Sequence, residues 1–129
     1  MHKNFLSIGA LSGAIAIALG AFGAHGLKKI LSPGDVAVFQ TGVQYQMYHT
    51  LALLLVAIVY DRLPDKWIMW TGYFFSAGIV FFSGSLYLIT ALNAAEKTVP
   101  VLVGAITPLG GLFFILGWLC LLIGVFKKR

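Results

Sequence analysis

The sequence predicts an all-α integral membrane protein: an antiparallel four-helix bundle forming a single four-span domain. Three observations carry this. Of the 129 residues, 60% are hydrophobic and only 10% are charged, whereas a soluble domain carries about a quarter charged residues. Mean hydropathy is +0.94. The apolar residues also fall into four runs, over residues 4–27, 43–60, 67–92 and 101–126, bounded by short clusters of charges, Gly, Pro or Asn. Each run meets the requirement of about 20 residues to cross a hydrocarbon core of about 30 Å.

The first run begins like a secretory signal, with Lys3, an apolar stretch and the small residues Ala21-Phe22-Gly23-Ala24. It is long enough to span, so it is expected to remain as the first span. Lipid supplies no hydrophobic drive between helices, and close packing of small residues must take its place. At helical spacing Gly9, Gly13, Ala16, Gly20 and Ala24 form one small-residue stripe, with Ala10, Ala14, Ala18, Ala21 and His25 beside it. Both stripes are expected to face protein, leaving Ile8, Leu11, Ile15, Leu19 and Phe22 to lipid.

The second helix is expected to start before its apolar run. Ser32-Pro33-Gly34-Asp35 places an N-cap, a Pro at the first position and an acid in the first turn. A helix from Pro33 to Tyr60 would be about 42 Å long at 1.5 Å per residue, more than the core needs. Residues 33–42 are therefore expected either to protrude from the core or, the favoured reading, to lie at the interface as an amphipathic turn hinged near Gly42. The third run carries Gly72, Ser76, Ser83 and Thr90 near one face. In the fourth, Gly110, Gly117 and Gly124 stand seven apart, a repeat suited to a left-handed crossing.

The net charge is +5, but the basic residues sit at segment ends. A nucleic-acid binder would gather them on one continuous face with interleaved aromatics, so no nucleic-acid partner is expected. Lys3, Arg62, Lys66, Lys127, Lys128 and Arg129 share one side of an even-span topology, against Lys28, Lys29 and Lys97 on the other. The positive-inside bias then predicts cytoplasmic termini. Cys120 is the single cysteine; it has no partner for a disulfide or a CxxC motif and reads as a small apolar residue.

Polar groups inside a span are expensive and need individual explanation. His49 shares a face with Tyr45 and Gln46. Relative to the non-cytoplasmic boundary, His25 lies about 3 Å inside, His49 about 10 Å, Ser83 and Ser85 about 10–14 Å, and Thr107 about 9 Å. Pro108 removes a backbone donor and frees the carbonyl of Gly104, so a kink, a carbonyl and the Thr107 hydroxyl are expected at the depth of His49. Ser83 and Ser85, two residues apart, cannot both face one neighbour, and at least one is expected to bond its own preceding turn. No zinc-spaced cluster or phosphate-binding glycine loop occurs. The four acids, Asp35, Asp61, Asp65 and Glu96, lie at helix ends or in loops. Neither enzyme activity nor a metal or cofactor is expected.

Four motifs in order resemble the YwdK/YgdD-like family of small four-span membrane proteins, related to transmembrane protein 256. They are Gly20-Ala-Phe-Gly-Ala-His-Gly-Leu27, Phe39-Gln-Thr-Gly-Val-Gln-Tyr-Gln-Met-Tyr-His-Thr50, Phe82-Ser-Gly-Ser-Leu-Tyr87, and Ile106-Thr-Pro-Leu-Gly-Gly111 with Gly117-Trp118. The resemblance covers nearly the whole chain. It implies a multi-pass protein of the bacterial inner membrane and brings no activity with it. Of the polar positions, His25, His49, Ser83, Ser85, Tyr87 and Thr107 match its motifs.

The candidate binding layer is therefore His25, Tyr45, Gln46, His49, Ser83, Ser85, Tyr87 and Thr107, suited to a lipid headgroup, a proton or a small solute. Membrane lipids are the expected partners, with a homo-oligomer left open. Two alternatives stand beside this: a structural or assembly partner whose polar layer only pairs helices, and a small transporter or channel.

Overall fold

The computed structural model describes residues 1–63 and 66–127. Pro64 and Asp65 of the second loop, and the basic residues Lys128 and Arg129, lie outside the described residues. Four apolar helices run back and forth: α1 (Lys3–His25), α2 (Pro33–Val59), α3 (Lys66–Ala94) and α4 (Val101–Lys127). Each is long and apolar enough to cross a membrane. Backbone groups cannot go unpaired in hydrocarbon, which is why the apolar runs are helical throughout.

The start of α2 follows the sequence pattern. Ser32 caps the helix, its Oγ accepting the Asp35 N–H at 3.2 Å, with Pro33 in the first turn. The helix then runs unbroken to Val59, so the hinge anticipated at Gly42 does not exist. Gly42 instead makes room for a neighbour: a Cβ there would stand 2.9 Å from the Tyr87 ring of α3. Asp35, at the head of α2, accepts a bond from Asn93 Nδ2 at 2.8 Å and is tied to the far end of α3.

The extensive interfaces join α1 to α2, α2 to α3 and α3 to α4; among the described residues none of comparable extent joins α1 to α4. The α3–α4 seam is lined by glycines. Gly110 lies on Phe82, Gly117 on Phe75 and Gly124 on Ile68, pairs that step by seven in opposite directions along antiparallel helices. This is the seven-residue repeat of the fourth run, now with its partners. Opposite Gly110, α3 widens into one π-helical turn over Ile79–Ser83. Such an extra residue is a common device for re-aiming side chains within a continuous helix.

On α1 only one of the two small-residue stripes is used. Phe5, Gly9, Ser12, Ala16 and Gly23 are buried, and Gly13, Gly20 and Ala24 are half-buried beside them. Ala10, Ala14, Ala18, Ala21 and His25 are exposed, contrary to expectation. The deciding feature is the opposing surface of α2: Leu54, Thr50 and Phe39 press on Gly9, Ser12 and Gly23. The main core, built from Phe5, Leu53, Val56, Ile68, Phe75 and Phe114, lies toward the end of the bundle that holds the N-terminus.

Candidate functional site

The polar side chains of the interior are engaged in small groups, some joining two or three helices and others returning to their own helix. Between α1 and α2, the Ser12 and Thr50 hydroxyls stand 2.7 Å apart, and Gln46 Nε2 donates to the Ser12 carbonyl at 2.9 Å. A carbonyl only accepts, so the amide nitrogen of Gln46 must face Ser12 and its Oε1 must face α3. There Oε1 accepts the Tyr87 hydroxyl at 2.5 Å. Gln46, the middle residue of α2, thus holds three helices at one point.

His49 is fixed just as fully. Its Nδ1 lies 2.8 Å from the Tyr45 carbonyl, and the Trp118 indole of α4 donates to its Nε2 at 3.0 Å. The carbonyl can only accept and the indole can only donate, so the imidazole is the neutral tautomer with its proton on Nδ1. Phe114 stacks on the ring with centroids 3.5 Å apart. No ring nitrogen remains for a ligand. Tyr45 contributes its backbone oxygen, while its exposed ring leans on Phe82.

The π turn aims the two serines in different directions. Ser83 donates across to the Gly42 carbonyl of α2 at 2.7 Å. Ser85 gives its single proton to Phe82 O of its own turn, at 2.8 Å, the return bond expected of at least one serine. The hydroxyl of Thr107, 2.6 Å away, must then donate to Ser85 Oγ. Thr107 therefore belongs to an α3–α4 pair and not to the surroundings of His49. Pro108 lies inside α4 without interrupting it, and the π turn widens α3 without breaking it. Thr71, Ser76 and Thr90 each bond a carbonyl four residues back, the inexpensive way to carry a hydroxyl within a span.

Of the eight residues singled out in the sequence, seven take part in these contacts. They do not make one chamber: Gln46 with Tyr87, His49 with the Tyr45 carbonyl, Ser83 with Gly42, and Ser85 with Thr107 are four separate arrangements. His25 is exposed at the end of α1 and joins none of them. Sequence reasoning missed Ser12, Thr50 and Trp118. Ser12 sits between Gly9 and Gly13 on the contact stripe, and Trp118 follows the contact glycine Gly117. Both signals were available. Grooves mark the outer surface among the described residues. One of about 430 Å³ is lined by Lys28, Leu31, Pro33, Val36, Ala37 and Gln40. Another, about 300 Å³ between α1 and α3, is walled by apolar side chains such as Leu11, Ile15, Ile79 and Val80. Among the described residues no group of three or more His, Cys, Asp or Glu side chains is placed to hold a metal ion.

Residues 19–111 match a family model described as a protein of unknown function (DUF423). The chain is 46% identical over 125 residues to a UPF0382 membrane protein of Staphylococcus saprophyticus, covering 97% of this chain and 98% of the relative. It is 42% identical over 126 residues to the UPF0382 membrane protein YwdK of Bacillus subtilis, with 97% and 98% covered. The UPF0382 inner membrane protein YgdD of Escherichia coli is 40% identical over 130 residues, with 100% and 95% covered. No solved structure matches significantly.

Proposed function

The chain belongs to the DUF423 family of membrane proteins of unknown function, and from that premise we propose that it is a non-enzymatic, multi-pass module of the inner membrane that works as an assembly partner through its outer surface. Its polar interior serves to choose which helices pair. One observation supports this above the others: both ring nitrogens of His49 are already used, Nδ1 within α2 and Nε2 by α4, and both ends of the Gln46 amide are used between helices. A binding site needs polar groups left over for its ligand. Interhelical bonds of this kind average about 0.6 kcal/mol each, a scale suited to selecting a packing.

A second reading, a lipid-headgroup site, has its support elsewhere. In the groove at the start of α2, the Lys28 ammonium and the Gln40 amide stand beside Leu31, Pro33 and Val36. Thermal melting with and without native lipid extract separates the readings. His49→Gln lowers the melting temperature but leaves any lipid-induced rise as large as in the wild type. Loss of that rise in Lys28→Ala alone supports the groove as a headgroup site. Its loss in His49→Gln overturns the structural role of the interior.

Both termini are proposed to be cytoplasmic, on the six-to-three basic count. The ammonium groups of Lys66 and Lys127 lie 5.6 and 5.1 Å from the Trp67 ring, gathering charge and an aromatic anchor at that one end. Single cysteines at Asp61 and Glu96, in a Cys120→Ala background, report the orientation. An impermeant thiol reagent added outside labels the Glu96→Cys protein and spares Asp61→Cys; the opposite pattern inverts the topology.

A further inference from the structure

The lipid-facing surface is apolar on two helices and polar on a third. Exposed positions of α1 from Ile8 to Phe22 are all apolar, as are those of α4 from Leu109 to Phe126, where the Trp118 N–H is turned to His49. On α2, however, Gln44 and Tyr48 lie in the middle of the exposed face, Tyr48 being 56% exposed. Neither side chain has a hydrogen bond among the described residues. Their depth makes this costly. Val43 packs on Gly20 of α1, so Gln44 lies about 8 Å inside the end of that helix at 1.5 Å per residue. Tyr48 is two residues from Thr50, which bonds Ser12 near the middle of α1. An amide and a phenol facing hydrocarbon at these depths are expensive unless they find a partner.

The spacing on this face describes the partner. Thr41, Gln44, Tyr48, Leu51, Leu55 and Ile58 alternate steps of three and four residues, and all but the half-buried Thr41 are exposed. That is the seam of a left-handed helix pair, polar in its outer half and apolar in its inner half. Copies of one chain share a membrane orientation, so a two-fold axis along the membrane normal brings identical residues together at identical depth. An amide both donates and accepts, and so does a phenol. Gln44 can therefore satisfy Gln44 of a second copy, and Tyr48 its own counterpart. A phospholipid chain offers the same groups nothing. The geometry points to a parallel homodimer in which α2 packs on α2 of a second copy, with Gln44 setting the register. This deepens the assembly reading above and rests on it.

Disulfide trapping in bilayers tests the seam, again in the Cys120→Ala background. Leu51→Cys is expected to give a covalent dimer under mild oxidation, while the equally lipid-exposed Ile115→Cys on α4 and Leu11→Cys on α1 do not. Gln44→Leu, at an exposed position whose side chain has no hydrogen bond among the described residues, should weaken association about three- to tenfold, the value of one or two interhelical hydrogen bonds. Association is read by fluorescence transfer between labelled copies as the protein-to-lipid ratio is varied. Linking at Leu51 no better than at Ile115, a product containing a different protein, or unchanged association in Gln44→Leu each overturns the proposal. Such a failure concerns α2 alone, since the assignment of the interior is tested separately by the melting of His49→Gln.

Discussion

Gly110→Ala is expected to cost the bundle about 3 kcal/mol, at or above the upper end of what overpacking usually costs. A Cβ at Gly110 would stand 2.2 Å from the Phe82 nitrogen and 2.6 Å from its Cα. Those are backbone atoms in a helical turn, so no side-chain rotation relieves the clash and α4 must move away from α3. Moving it also pulls Thr107 from Ser85 and Trp118 from His49. Gly104 and Gly84, with nothing within 4 Å of a new Cβ, are the controls. Alanine at either should leave thermal melting in detergent unchanged or slightly raised, since alanine is the better helix former. Gly117→Ala falls between, because the Phe75 ring, rather than backbone, receives its Cβ at 2.6 Å.

Gln46→Leu is the second large effect expected, about 2–3 kcal/mol. The loss removes the amide's bonds to Ser12 and strands the Tyr87 hydroxyl, and an orphaned buried donor costs about 1–3 kcal/mol. Tyr87→Phe in the same background should then cost less than it does alone, because the hydroxyl it removes has already lost its acceptor. Additive losses in the melting of the two single variants and the double variant would show that Gln46 and Tyr87 do not bond each other. Gln44→Leu, two residues away, leaves the monomer's melting unchanged because its side chain has no bond within the chain.

Local chemistry accounts for what was legible in the sequence. The four spans follow from runs of apolar residues, the start of α2 from Ser32-Pro33-Gly34-Asp35, and the α4 seam from glycines seven apart. The partners of those elements were not legible. Both small-residue stripes of α1 satisfy the same packing rule, and only Thr50, Leu54 and Phe39 on another helix decide between them. Depth along each span placed His49 and Thr107 at one level. It gave no direction around the helix, so it could not separate the Trp118 pair from the Ser85 pair. The π turn of α3 sends Ser83 to α2 and Ser85 to α4, and no residue within Ile79–Ser83 announces it. The hinge expected at Gly42 failed for a related reason. A glycine inside a membrane helix reads equally as a bend or as a contact, and Tyr87 makes it a contact.

The state of the His49 ring tests most directly whether the polar interior is fully engaged. Nitrogen-15 magnetic resonance of the protein in lipid bilayers, with labelled histidine and tryptophan, reads where the ring proton sits and which atom receives the Trp118 N–H. The expected result is a neutral imidazole protonated at Nδ1, with Nε2 correlated to the Trp118 indole proton. A proton on Nε2, or an indole N–H with no correlation to His49, would contradict it and reopen the interior as a place for a ligand.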